Sequence, residues 1–224
     1  MISRQTNYLK GAITKMKRLF ASVISCVLIL SMICSGLTVF ATTITGAVDT
    51  DNFVRGVDVS TLDMLEDLGA RYYQNNVESD ALTILKNNGA NYVRLKLWVD
   101  PYDENGNPYG GGNNDYATTL ALARRAKNLG MGVLIDFHLS DFWTDPANQI
   151  KPKAWKDLSY SELKTTLYNY MKDTLNNFAA AGIVPEMVQV GNEISTGILH
   201  DDGKVGNGNE DFSNLAGLLE SAID

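Results

Sequence analysis

The sequence predicts an α/β chain folded as a (β/α)8 (TIM) barrel, of which about the first four β-α units are present. Three observations predict it. Apolar segments of strand length alternate with segments of helical period along residues 53–223. Two of the strands carry charged residues at alternate positions. The connections that follow strands are long and polar, whereas those that follow helices are short.

The elements read in order. Residues 53–59 form the first strand. Residues 80–88 form a helix closed by Gly89, and residues 91–99 a second strand stopped by Pro101. A helix over 115–129 ends at Gly130, and residues 131–139 form the third strand. Ser159 with Glu162 three residues on is a capping box, opening a helix that runs to residue 181 before Gly182. Residues 187–192 form the fourth strand, and residues 211–223 a last helix.

The strand faces separate a closed barrel from an open doubly wound sheet. Val93, Leu95, Leu97 and Val99 share one face, and Tyr92, Arg94, Lys96 and Trp98 the other. Val133, Ile135, Phe137 and Leu139 likewise lie opposite Leu134, Asp136 and His138. A sheet covered by helices on both sides reads as uniformly apolar, and these strands do not. The first strand is also not followed by G-x-G-x-x-G, which argues against dinucleotide binding.

Charge divides the chain. Residues 1–41 hold Arg4, Lys10, Lys15, Lys17 and Arg18 and no acidic residue. The remainder holds 14 basic against 26 acidic side chains, a formal balance of −12. Such a body repels nucleic acid and anionic membranes, and a neutral substrate fits it better; acidity that serves only solubility fits it too. The basic start, the uncharged run over 19–41 and the small residues up to Ala41 form a secretory signal pattern, with an uncleaved anchor as the alternative. The expected organisation is a signal over 1–41, a catalytic barrel segment over 42–224 and a secreted product. Cys26 and Cys34 both fall in the signal, so the mature chain would contain no disulfide.

Val188 to Glu193 carries the sharpest chemistry: an apolar strand that ends Gly191-Asn192-Glu193. At the C-terminal rim of a barrel, Glu193 suits a general acid/base, and the Asn192 amide suits a sugar hydroxyl. Spacing alone leaves a capping or salt-bridged glutamate equally open. Arg94 faces inward and requires a carboxylate, either Glu193 or an acid from a neighbouring strand. His138 points inward, to orient a carboxylate, to bond a sugar or to serve structure. Trp98, Trp143 and Trp155 are stacking rings or core. With two histidines in the chain and no ligand spacing, a metal site is not expected, and the 103–107 turn fails calcium-loop spacing. Phosphate-loop, G-x-S-x-G and H-E-x-x-H signatures are absent.

Taken together, Arg55 to Ser60, Tyr92 to Trp98, Asp136 to Pro146, Lys153-Ala154-Trp155 and Val190 to Ile194 resemble glycoside hydrolase family 53, the endo-β-1,4-galactanases, over roughly residues 52–224. The stretch from Asp136, which includes Asp141 and Trp143, is the most specific part. The resemblance implies a retaining two-carboxylate mechanism on (arabino)galactan with Glu193 as acid/base. It also implies substrate contacts from Arg94, Trp98, His138, Asp141, Trp143 and Asn192, and no cofactor or obligate protein partner. The nucleophile it implies is a glutamate ending a seventh strand. Four strands do not reach it, and Glu210 and Glu220 lie in the loop and helix after the fourth, so the chain alone is expected to be inactive and poorly folded. A related glycanase acting on β-glucan, mannan or xylan, and an inactive carbohydrate-binding fragment, are the competing readings.

Overall fold

A computed structural model describes residues 53–206, 208 and 210–224. The signal expected over 1–41, with both cysteines, lies outside the described residues. Four strands, β1 (Gly56–Asp58), β4 (Tyr92–Leu97), β5 (Gly132–Phe137) and β6 (Met187–Val190), form one parallel sheet in the order β1-β4-β5-β6. Neighbours in the sheet are thus successive along the chain, as barrel closure requires, instead of reversing about a switch point as in a doubly wound sheet.

Three helices connect these strands: α2 (Ala81–Asn87), α3 (Tyr116–Asn128) and α4 (Tyr160–Ala180). Each begins where a side chain satisfies a free backbone N–H. Asp80 accepts from Thr83 N at 2.7 Å and Asp115 from Thr118 N at 2.8 Å. Ser159 and Glu162 form the expected capping box. A last helix, α5 (Ser213–Ile223), packs on α4, where the Tyr160 hydroxyl donates to Asn214 O at 2.9 Å.

Local pattern misses what lies between β1 and α2. A short helix, α1 (Leu62–Asp67), leads to a hairpin of β2 (Tyr72–Gln74) and β3 (Val77–Ser79). Its turn is Asn75-Asn76, both at positive φ (52° and 64°), the geometry that right-twisted two-residue hairpins favour. Arg125 of α3 fastens this insertion through Glu66 at 2.7 Å and Asp80 at 2.7 Å. A second small ribbon, β7 (Gly197–Ile198) with β8 (Gly203–Lys204), follows β6.

The two faces of the sheet divide as the alternation predicts. Val93, Leu95, Leu97, Val133, Ile135 and Phe137 are buried in one cluster with Leu122 and Ala126 of α3 and Leu163, Leu167 and Phe178 of α4. The other face is ionic. The Arg94 guanidinium on β4 donates to Asp58 of β1 at 2.6 Å, Asp136 of β5 at 2.6 Å and Gln189 of β6 at 3.2 Å. Lys96 adds a bond to Asp58 at 2.9 Å. Arg94 therefore meets acids of the neighbouring strands; among the described residues it makes no ion pair with Glu193.

Burial opposes ionisation of Asp58, but hydrogen bonds from Lys96 and Ser60 outweigh it and hold the carboxyl below the usual range. Its contribution to stability is then fully present above about pH 4 and is lost as pH falls through the lowered folded value. Urea midpoints of the wild type and Asp58→Asn should differ near neutrality and converge towards about pH 3, whereas a gap that stays constant with pH would refute the assignment. Arg94→Ala should cost about 3–5 kcal/mol in the same assay, because it leaves the fully buried Asp136 without its guanidinium.

Candidate active site

The C-terminal ends of β4, β5 and β6 deliver three loops to one end of the sheet: residues 98–115, 138–159 and 191–212. Between them lies a cleft of about 970 Å³, lined by Tyr109, Phe142, Trp143, Lys156 and His200 among others. Asp141 joins two of the loops, its carboxyl accepting from Asp100 N at 3.1 Å and from Lys153 N at 2.8 Å. Burial pushes this carboxyl upwards, against the opposing effect of the Lys153 N–H. Lys153 doubles the link through Nζ, 2.7 Å from the Asp100 carboxylate. Asp141 thus lies in the cleft wall with both carboxyl oxygens accepting from loop N–H groups.

β6 ends at Val190 because Gly191 turns the chain at φ 81°. Asn192 follows, buried, with Oδ1 accepting from Arg94 at 2.8 Å and Nδ2 donating to Thr144 O at 2.7 Å. One Nδ2 hydrogen remains for a ligand. Glu193 adopts φ 53° and ψ 47°, a left-handed conformation that costs a non-glycine residue about 1–2 kcal/mol. The turn leaves Glu193 exposed, and among the described residues its carboxyl has no hydrogen bond or ion pair.

His138 is 1% exposed. Its Nδ1 accepts from Thr144 N at 3.1 Å, so the ring proton resides on Nε2, which faces Asp136 Oδ2 at 3.0 Å but out of hydrogen-bond alignment. His138 is buried, with Thr144 bonded to its Nδ1 and the rings of Trp98 and Trp143 packed edge-on against it. It belongs to the floor of the site. Trp98 is buried as well. It is 1% exposed beneath Phe142, at 4.9 Å between ring centres, and Nε1 has no partner among the described residues. Trp155 is also buried, edge-on to Tyr170.

Trp143 is the tryptophan that fits the stacking role. It is 45% exposed in the cleft, and Lys96 Nζ sits 4.9 Å from the ring centre. Chemically, the end of the sheet presents a free carboxyl, a neighbouring amide fixed by an arginine, and an exposed indole. That combination suits proton transfer to a polyol-like ligand held by stacking and hydrogen bonds.

Several members of the site carried no assigned role in the sequence. Asp58, Lys96 and Gln189 were legible as inward positions through strand alternation, because the parallel register sets Asp58 beside Arg94 and Gln189 beside Asp136. Thr144 and Gln149 had no such signal. They sit in an irregular loop, and their contacts with Asn192 span 48 and 43 residues.

Comparison with known proteins places these features in a family. Residues 54–224 match Glycosyl hydrolase family 53. The endo-β-1,4-galactanase of Bacillus subtilis (strain 168) is 48% identical over 147 residues, which cover 65% of this chain and 34% of that protein. The arabinogalactan endo-β-1,4-galactanase A of Aspergillus niger is 42% identical over 168 residues, covering 75% and 45%. The solved GH53 catalytic domain of Ignisphaera aggregans superposes with a TM-score of 0.74 at 49% identity, over 80% of this chain and 48% of that one. The chain therefore spans less than half the length of these relatives. With its sequential parallel sheet and its match from residue 54 to residue 224, the chain belongs to glycosyl hydrolase family 53.

Proposed function

We propose that this chain is part of a secreted endo-acting hydrolase that cleaves β-1,4-galactosidic bonds in (arabino)galactan with retention of configuration. The observation that carries the reading is the exposed carboxyl of Glu193, without a hydrogen bond or ion pair among the described residues, beside the anchored Asn192 amide at the end of β6. The printed activities of the relatives support the choice of galactan over other glycans. The basic start and apolar run of residues 1–41 support secretion.

In the proposed reaction Glu193 gives its proton to the glycosidic oxygen while a second carboxylate attacks the anomeric carbon. Water then resolves the glycosyl-enzyme, and Glu193 takes its proton. Asn192 offers its free N–H to a hydroxyl beside the reacting carbon, and Trp143 stacks on an apolar sugar face. Neither Asp58 nor Asp136 suits the nucleophile, since Arg94 holds both. Turnover then requires a carboxylate from outside these four strand–helix units, and the 224-residue chain alone should bind without cleaving. No cofactor is needed for this chemistry.

In a family-length barrel carrying this segment, Glu193→Gln should lower kcat on galactan by about 10²–10⁴-fold while oligosaccharide affinity stays within a few-fold. Retained turnover in that variant would remove Glu193 from the role. Trp143→Ala should weaken galacto-oligosaccharide binding by about 10-fold, the worth of one stacking contact, as read by calorimetric titration. An unchanged Kd would place the sugar elsewhere. Release of new reducing ends from galactan by the 224-residue chain itself would overturn the requirement for an outside carboxylate.

A further inference from the structure

The left-handed backbone of Glu193 is imposed from outside its own strand. Gln149, in the loop between β5 and α4, is 2% exposed. Its Nε2 donates to Asn192 O at 2.7 Å and to Asp145 O at 3.1 Å, and lies 3.5 Å from Glu193 O. Its own carbonyl accepts from His200 N at 2.7 Å. One residue therefore ties down the chain immediately before Glu193 and again seven residues after it. Thr144, in the same loop, holds the Asn192 side chain.

The chemistry of the amide explains the choice of residue. Nε2 carries two hydrogens, and the buried carbonyls around it need donors. Remove the donors and Asp145 O keeps the Asn148 N–H at 3.0 Å, but Asn192 O retains only the Thr144 hydroxyl at 3.5 Å, which favours rotation of the Asn192–Glu193 peptide away from its present setting. Because the Glu193 carboxyl makes no hydrogen bond or ion pair of its own among the described residues, this backbone is the part of Glu193 that the protein holds.

We propose that Gln149 is a positioning residue for Glu193: it fixes the Asn192–Glu193 main chain and so the point from which the carboxyl projects beyond β6. The inference rests on the reading of Glu193 as the acid/base. Failure of that reading would show separately, as retained turnover in Glu193→Gln, whereas the test below reads backbone geometry and needs no activity.

The test uses a family-length barrel carrying this segment, labelled with 13C and 15N, as wild type, Gln149→Met and Gln149→Glu. Methionine keeps the length and removes both donors; glutamate keeps the shape and, read at a pH high enough to ionise it in this buried position, also donates nothing. In both variants the 13Cα and carbonyl shifts of Asn192 and Glu193 should leave left-handed values, while the signals of β4 and β5 keep their wild-type positions. Wild-type shifts at Glu193 in either folded variant would overturn the proposal. So would displacement spread evenly over β4, β5 and α4, or failure of both variants to fold, since either outcome marks Gln149 as general loop support. If only Gln149→Met fails to fold, the Glu193 shifts of Gln149→Glu decide the matter.

Discussion

One guanidinium makes the sheet's inner face tenable. Arg94 reaches a carboxylate on each neighbouring strand, an amide on β6 and the Asn192 side chain beyond it, so every strand of the sheet has a polar group on the same cation. An interior cation without such partners would be expelled or neutralised, and interior carboxylates without it would titrate upwards. The arrangement also fixes register. A shift of β1 or β5 by one residue would turn Asp58 or Asp136 to the apolar side and bring a valine, isoleucine or phenylalanine inward.

The same cation links the fold to the site. By accepting from Arg94, Asn192 is fixed to the barrel floor, and Thr144 clamps its other end. Thr144 also supplies the N–H that sets the His138 tautomer, so one loop residue governs both a strand-end amide and an interior imidazole. The loop depends in turn on its neighbours, through Asp141, Lys153 and the Gln149 contact with His200. Glu193 is the exception in this connected network. Among the described residues its carboxyl has no hydrogen bond or ion pair, and its backbone is held in a costly conformation of the kind that clusters at functional sites.

Much of this was legible in advance where the governing physics is local. Ser159 with Glu162, Asp80 and Asp115 start helices because a short polar side chain reaches an N–H three residues on, and the sequence displays that spacing. The hairpin at Asn75-Asn76 had an equally local signal, two residues that tolerate positive φ between short β-prone runs. It was overshadowed by the larger helical period that follows. The burial of Trp98 and His138 was not legible in the sequence. Alternation gives the face on which a side chain lies, and it does not give the depth at which a loop closes over it.

The sequence by itself determined the order of the four sheet strands and of the helices α2 to α5, the apolar and ionic faces of β4 and β5, and the Asn192-Glu193 pair at a strand end. Each of these follows from spacings of two to four residues, which the backbone repeats of strand and helix enforce. Only the tertiary structure decided which carboxylates Arg94 meets, that Trp143 and not Trp98 faces the cleft, and that Gln149 holds the Glu193 main chain. Those outcomes depend on register between strands and on contacts between loops some 40 residues apart, and no periodicity of the chain encodes them.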